Sequence, residues 1–223
     1  MSIVLPPPYD RLHRHSLLPD ANHDESARMN FIANMNAHIG AVLFPGLPAA
    51  YEKRVMPEFK KEHGREPRSS IEVRQAIRQH PAYQFWAALR RNTQEIRQQV
   101  GRSLVFRQLP ELIAKAKAIN CDSKHLRLEP SVSIPRYLSE VDNHLMPGSY
   151  YAEVLSEDIS GPANYESGHF TTVAGGTGPK SDLVGRTMAK WLRERHSNFV
   201  PKRIVDIGGG AGFNTLPIAE AYP

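Results

Sequence analysis

Lys202-Arg203-Ile204-Val205-Asp206-Ile207-Gly208-Gly209-Gly210-Ala211-Gly212-Phe213 reads as a short apolar strand running into a glycine-rich turn. The residues after it, Asn214 to Tyr222, can form a helix, so the stretch predicts strand, tight loop and helix N-terminus, the arrangement in which free backbone N–H groups face a ligand. A parallel α/β sheet needs several strands joined by crossovers of roughly a dozen residues or more, and only eleven residues follow Gly212. The 223 residues are therefore expected to be the front part of a longer protein, ending just after the first strand–helix unit of a cofactor domain.

Spacing separates three readings of the loop. A phosphate-binding P-loop needs Gly-Lys-Ser/Thr at its end, which is absent here; the nearby Gly175-Gly176-Thr177-Gly178-Pro179-Lys180-Ser181 puts Pro179 where the glycine before the lysine belongs. The dinucleotide pattern G-x-G-x-x-G would run through Gly208 and Gly210 but meets Phe213 at its third glycine. What fits is an acid followed by alternating glycines: Asp206, Gly208, Gly210 and Gly212. Glycine at these places permits backbone angles and a close ligand approach that side chains would block.

That pattern resembles the first motif of the class I S-adenosylmethionine-dependent methyltransferases, a Rossmann-like family, and the resemblance spans about twenty residues plus the helix ahead of them. It implies a cofactor, S-adenosyl-L-methionine, whose cationic amino acid part is held by the acid at Asp206 and whose methionine and sugar pass over Gly208, Gly210 and Gly212. A sulfonium cofactor has no pyrophosphate to neutralise, so a loop without lysine is in keeping. The family's ribose-binding acid and adenine-binding segment would lie after Pro223. Tyr150 and Tyr151 are candidates to close over the cofactor, as residues upstream of the motif do in some relatives; packing against the connector is the competing reading.

Upstream, residues 181–223 begin this cofactor domain with an amphipathic helix, Ser181 to His196, whose Leu183, Val184, Met188, Trp191 and Leu192 should pack on the sheet. Residues 146–180 read as a loop-rich connector, too polar and too broken by glycine and proline for a core element. Within it, His169 is the candidate catalytic base, because histidine titrates in the useful range and sits just before the cofactor unit; a plain surface histidine is the competing reading. Asp142, Asn143 and His144 lack a second histidine at ligand spacing, so no metal is expected.

Residues 24–145 read as a mostly helical domain for covering substrate or for forming a homodimer. Phe31, Ile32, Met35, Ile39 and Val42 share one stripe after Asp24; a second helix from Ala49 to Lys61 should kink or split at Pro57. Ser69-Ser70-Ile71-Glu72 opens another helix, Pro81 starts a long one carrying Phe85, Leu89, Ile96, Val100 and Leu104, and Pro110 to Ile119 forms one more. Residues 1–23 read as a poorly ordered leader. The fold class expected is thus a helical amino-terminal domain followed by the start of an α/β Rossmann-like domain.

Composition sets the remaining bounds. A single Cys121 excludes an internal disulfide and fits a reducing, cytoplasmic setting. The most apolar window, Gly40 to Ala50, is broken by Pro45, Gly46 and Pro48 and is far short of the roughly 20 residues of a membrane span. Net charge is +5, with 19 Lys and Arg against 12 Asp and Glu in residues 1–125, and 9 against 11 thereafter. The primary expectation is methyl transfer to a small-molecule acceptor by the full-length protein, with these 223 residues alone expected to be inactive. The alternative is a binding module in which Arg74, Arg78, Arg90, Arg91 and Arg97 form a basic face for nucleic acid or another acidic partner.

Overall fold

The computed structural model describes residues 5–120, 127–129 and 131–223; Cys121 lies outside the described residues. Ten α-helices follow one another: α1 His23–His38, α2 Phe44–Ala50, α3 Met56–His63, α4 Ser70–Ile77, α5 Pro81–Phe106, α6 Leu109–Asn120, α7 Arg136–Ser139, α8 Ser160–Thr172, α9 Leu183–Arg195 and α10 Thr215–Ala221. Among the described residues there is no strand. The expected start of a Rossmann-like domain is therefore absent, and residues 202–207 run as an extended segment with Val205 76% and Ile207 94% exposed. A strand exists only through the ladder it makes with a neighbour, and this segment has none among the described residues.

α1, α2 and α3 form one rod, because the two π turns between them, Ile39–Leu43 and Tyr51–Val55, keep right-handed helical angles at every junction. Each π turn sits just ahead of a proline, Pro45 or Pro57. The pyrrolidine ring crowds the carbonyl four residues back and supplies no N–H to it; widening the helix there shifts the bonding to five residues, as Phe44 N–H to Ile39 and Met56 N–H to Tyr51. The prolines thus bulge the helix, and at Pro57, where a kink or split was expected, it continues. Gly64 ends the rod in the left-handed conformation at φ 67°.

The core is a three-helix packing of α1, α5 and α8, with Met29, Ile32, Val100, Leu104 and Phe170 in one cluster. Tyr9, Leu12 and Leu18 of the leader belong to the same cluster. The leader is pinned as well as packed: Tyr9 N–H donates to Asn30 Oδ1 at 2.7 Å, His13 N–H to the Pro179 carbonyl at 3.0 Å, and Asp20 N–H to Gln108 Oε1 at 2.8 Å. It is an ordered strap across the bundle.

α8, in the stretch expected to be a loop-rich connector, is central to this core. Ser160, Ala163, Asn164, Ser167, Gly168, Phe170 and Thr171 are all buried. Small side chains allow its backbone to approach α5 closely. A Cβ on Gly168 would lie 2.2 Å from Arg97 Nε, and a Cβ on Gly101 would lie 2.2 Å from Asn164 Oδ1. Each helix therefore offers a glycine to a polar side chain of the other, four residues from its own polar side chain, which fixes the pair as antiparallel.

α1 begins with a capping box, Glu25 N–H donating to Asn22 Oδ1 at 2.9 Å and Asn22 N–H to Glu25 Oε2 at 2.8 Å. The cap is Asn22, two residues ahead of the Asp24 start read from sequence. Arg107, at the end of α5, donates Nη2 to the same carboxylate at 2.7 Å. Burial raises the Glu25 pKa, but the bonds from Arg107 and Asn22 outweigh it and hold the carboxyl below 4.5. α9 does form, but it packs on α10 rather than on a sheet, burying only Gly185 and Ala189, while Leu183, Val184, Met188 and Trp191 stay about half exposed.

Two stability predictions follow from this packing. In α2, Gly46→Ala meets nothing within 4 Å and should stabilise by up to about 1 kcal/mol through helix propensity. Gly101→Ala must displace buried Asn164 and should instead destabilise by about 1–3 kcal/mol; denaturant midpoints of the two variants give the comparison. Arg107→Gln should lower stability at pH 7, since it removes the charged partner of the Glu25 carboxylate. A carboxyl whose folded pKa is depressed stabilises above its unfolded value and loses that stabilisation as pH falls through the folded one. The gap between wild type and Arg107→Gln should therefore close as pH drops below 4.5, as read by chemical denaturation across that range.

Candidate functional site

The glycine loop keeps the geometry its spacing implied even without a strand. Gly208, Gly210 and Gly212 have φ of 75°, 55° and 79°, the left-handed region that glycine enters without cost. Gly212 N–H donates to the Gly209 carbonyl at 2.9 Å and Leu216 N–H to the Gly212 carbonyl at 3.0 Å, which joins the loop to α10. Thr215 Oγ1 donates to Asp206 Oδ2 and closes the turn. Around Gly208 there is open space where a side chain would begin.

The loop ends on Phe213, whose ring stacks on Tyr165 at 6.0 Å and tilts against His169 at 5.3 Å. Tyr165 and His169 are one turn apart on α8, on the stripe that faces away from α1, with ring centroids 5.8 Å apart. Tyr150 adds its ring edge to Tyr165 at 6.1 Å, and its hydroxyl bonds His144 Nδ1. The segment carrying these residues hangs from α5: Gln94 and Gln98 both donate to the His144 carbonyl, at 2.9 and 3.1 Å. His144 and Ser149 sit at φ 55° and 53°, a conformation that those anchoring bonds sustain.

His169 Nε2 lies 3.4 Å from Thr177 Oγ1. Partial burial, and then the Arg97 guanidinium behind α8, push its pKa below 6.5. The imidazole is thus held neutral at pH 7, the state a proton acceptor needs. On the far side of Phe213 opens a cleft of about 550 Å³, walled by the leader, α8, the loop before α9 and α10. Its polar groups include His15, Glu166, Lys180, Ser181 and Asp182. His15 Nε2 meets Glu166 Oε1 at 2.8 Å, while the buried Ser181 hydroxyl has no partner among the described residues.

Compared with known proteins, the chain matches no protein-family model, no curated protein and no solved structure. The reading of the site therefore rests on its own geometry.

Of the residues singled out from sequence, His169 and Tyr150 come together with the end of the glycine loop through Tyr165 and Phe213. Tyr151 points elsewhere and donates to the Ser139 carbonyl at 3.2 Å. Asp206 is exposed and engaged with Thr215. Of the five arginines expected to form a basic face, Arg97 is 5% exposed and does not reach the surface, and Arg91 pairs with Glu95 at 2.8 Å. Asp142, Asn143 and His144 are spent on Gly148, Ser149 and Tyr150, and among the described residues no three His, Cys, Asp or Glu gather as metal ligands. No helix among the described residues is long and apolar enough to cross a membrane.

Sequence reasoning missed Phe213, Ser181 and the His15–Glu166 pair. Phe213 had been weighed only as a misfit to a glycine pattern; its place directly after alternating glycines is the signal that marks it as the ring presented by the loop.

The His169 environment yields a direct check. Its NMR titration midpoint should lie below 6.5 in the wild type and rise in Arg97→Gln, which removes the repelling cation, and in Phe213→Ala, which admits water. An unshifted midpoint in both variants would remove the electrostatic account of this histidine.

Proposed function

We propose that the chain carries the cofactor loop and acceptor-side residues of an S-adenosylmethionine-dependent methyltransferase acting on a small molecule. The observation that supports this reading is a left-handed triple-glycine loop whose Phe213 ring lies against His169, with a cleft of small-molecule size also lined by Phe213. The residues fit the cofactor. Open space at Gly208 admits a ligand to the backbone, and exposed Asp206 offers a negative charge to a cationic amino acid group. The cofactor, when bound, supplies an electrophilic methyl group. The proposal rests on the loop's local chemistry and needs no sheet.

On this reading His169 accepts the proton that the acceptor oxygen or nitrogen gives up, which its depressed pKa allows at pH 7. Phe213, Tyr165 and Tyr150 exclude water from one side of that histidine and orient flat apolar groups by stacking. The single Cys121 fits activity in the reducing cytoplasm.

Calorimetric titration of the 223-residue chain with S-adenosylmethionine tests this. Saturable binding should be lost in Gly210→Val, since a β-branched residue cannot hold φ 55° without strain. His169→Ala should retain that binding and, in a longer chain that supports transfer to an acceptor, lose about 100-fold or more in rate. Failure of the wild-type chain to bind would overturn the proposal for this chain.

A further inference from the structure

The His15–Glu166 pair is the part of the cleft that the function above leaves unused. His15 Nδ1 accepts from Leu17 N–H at 3.3 Å, so the ring proton sits on Nε2, which donates to Glu166 Oε1 at 2.8 Å. The leader thereby holds a carboxylate of α8 in place. That side chain is only 22% exposed, and it lines the cleft of about 550 Å³, which has room for a small molecule. Its second oxygen, Oε2, accepts no hydrogen bond among the described residues, and no lysine or arginine pairs with the group there. A carboxylate offers about four acceptor positions, and holding one among apolar side chains without a cation is costly. The apolar side chains are Leu12, Ala116, Ile159, Ala163, Phe213 and Pro217, which wall the same cleft. Among the Asp, Glu and Lys side chains that line it besides Glu166, Asp182 is taken up by Arg186 at 2.7 Å. Glu220 and Lys180 are exposed and make no ion pair among the described residues. Unpaired charge in the cleft thus amounts to two carboxylates against one ammonium, an excess that favours a cation over an anion. Lys180 can turn its ammonium into water on a long stem, whereas Glu166 is tied to His15.

We infer that the cleft is a binding site for a primary amine on an apolar body, its ammonium donating to Glu166 Oε2 and its body lying against Phe213 and the aliphatic wall. A hydrogen bond between two charged groups is roughly twice as strong as a neutral one, and Phe213 gives a flat body an aromatic surface to pack on. Ala211 and Phe213 of the glycine loop both line the cleft, so the amine lies against the end of that loop. Assigning it as the methyl acceptor rests on the function proposed above. The amino acid part of S-adenosylmethionine also carries an ammonium, and the experiment separates the two sources.

The full chain is titrated with phenethylamine while its backbone amide NMR signals are followed, with phenethyl alcohol as the neutral control and hydrocinnamate as the anionic one. Saturable shifts at Ala163, Glu166 and Phe213 are expected with the amine, weaker with the alcohol and absent with hydrocinnamate. No shift from the amine, or equal shifts from amine and hydrocinnamate, overturns the inference. Glu166→Gln keeps an acceptor for His15 and removes the charge, so it should weaken amine binding about tenfold or more and leave binding of the alcohol unchanged. Unchanged amine affinity in this variant, or a loss shared equally by amine and alcohol, overturns it. Leu216→Lys covers the case in which Glu166→Gln does not fold. At 64% exposure that position tolerates a lysine, which sets a repelling cation at the cleft and should also weaken the amine; an amine affinity that it leaves unchanged counts against the site. S-adenosylmethionine added to the amine complex then identifies the source. Joint binding supports the amine as acceptor, and displacement of the amine overturns that assignment in favour of the cofactor's own ammonium. Because the amine titration needs no cofactor, failure of S-adenosylmethionine to bind overturns the methyltransferase reading and leaves this result standing.

Discussion

The reciprocal seating of Arg97 on Gly168 and of Asn164 on Gly101 is the constraint on which the rest of the molecule depends. Two helices meet closely only where one of them lacks a Cβ, and here each supplies the gap that the other fills. Asn164 then donates Nδ2 to Gln98 Oε1 at 2.8 Å, and Gln98 donates onward to the His144 carbonyl. The contact that brings α5 to α8 is therefore also the start of the chain of bonds that positions Tyr150. Because α8 turns its small residues toward α5, the next stripe of the same helix carries Tyr165 and His169 toward the glycine loop. Packing and site are two faces of one helix.

This arrangement explains which parts of the fold were legible. α4, α5 and α6 announce themselves through caps and apolar stripes, and the sequence places them within a residue or two: Ser69 accepts from Glu72 N–H as its cap position predicts, and Pro81 opens α5. α8 has no such stripe, because apart from Phe170 and Ala163 what it buries is serine, glycine, asparagine and threonine. Its stability comes from close approach and dispersion rather than from large apolar side chains, a cause that leaves no hydrophobic period to read. The leader hid for a related reason: Tyr9, Leu12 and Leu18 are too irregularly spaced for either period, yet all three reach the core. Pro57 was read as kinking or splitting its helix, but a helix can answer a proline by widening as well as by stopping.

The candidate site divides along the same line. His169, Tyr150 and the glycines were visible because their chemistry is local to a few residues. Arg97 was not, since an arginine on a helix that also carries Arg90 and Arg91 looks like one more solvated charge until the partner helix is placed over it. Ser181 likewise looked like a helix start, and only the folded loop at φ 55° turns its hydroxyl into the buried wall of the cleft.

The stretch from Lys202 to Phe213 shows most plainly how local and non-local determinants separate. Its second half adopts the loop geometry that alternating glycines encode, because left-handed angles, the Gly212 to Gly209 bond and the Asp206–Thr215 bond all close within ten residues. Its first half has the composition of a buried strand, but a strand is a relation between two segments and composition alone cannot create it. Ile204, Val205 and Ile207 accordingly remain exposed, as does the apolar side of α9 that the same reading had set against a sheet. A ligand-binding reading drawn from the glycines and a fold reading drawn from the isoleucines and valine thus rest on different physics. The absence of the strand removes the second while leaving the first to be judged on the loop, on Phe213 and on the histidine that it covers.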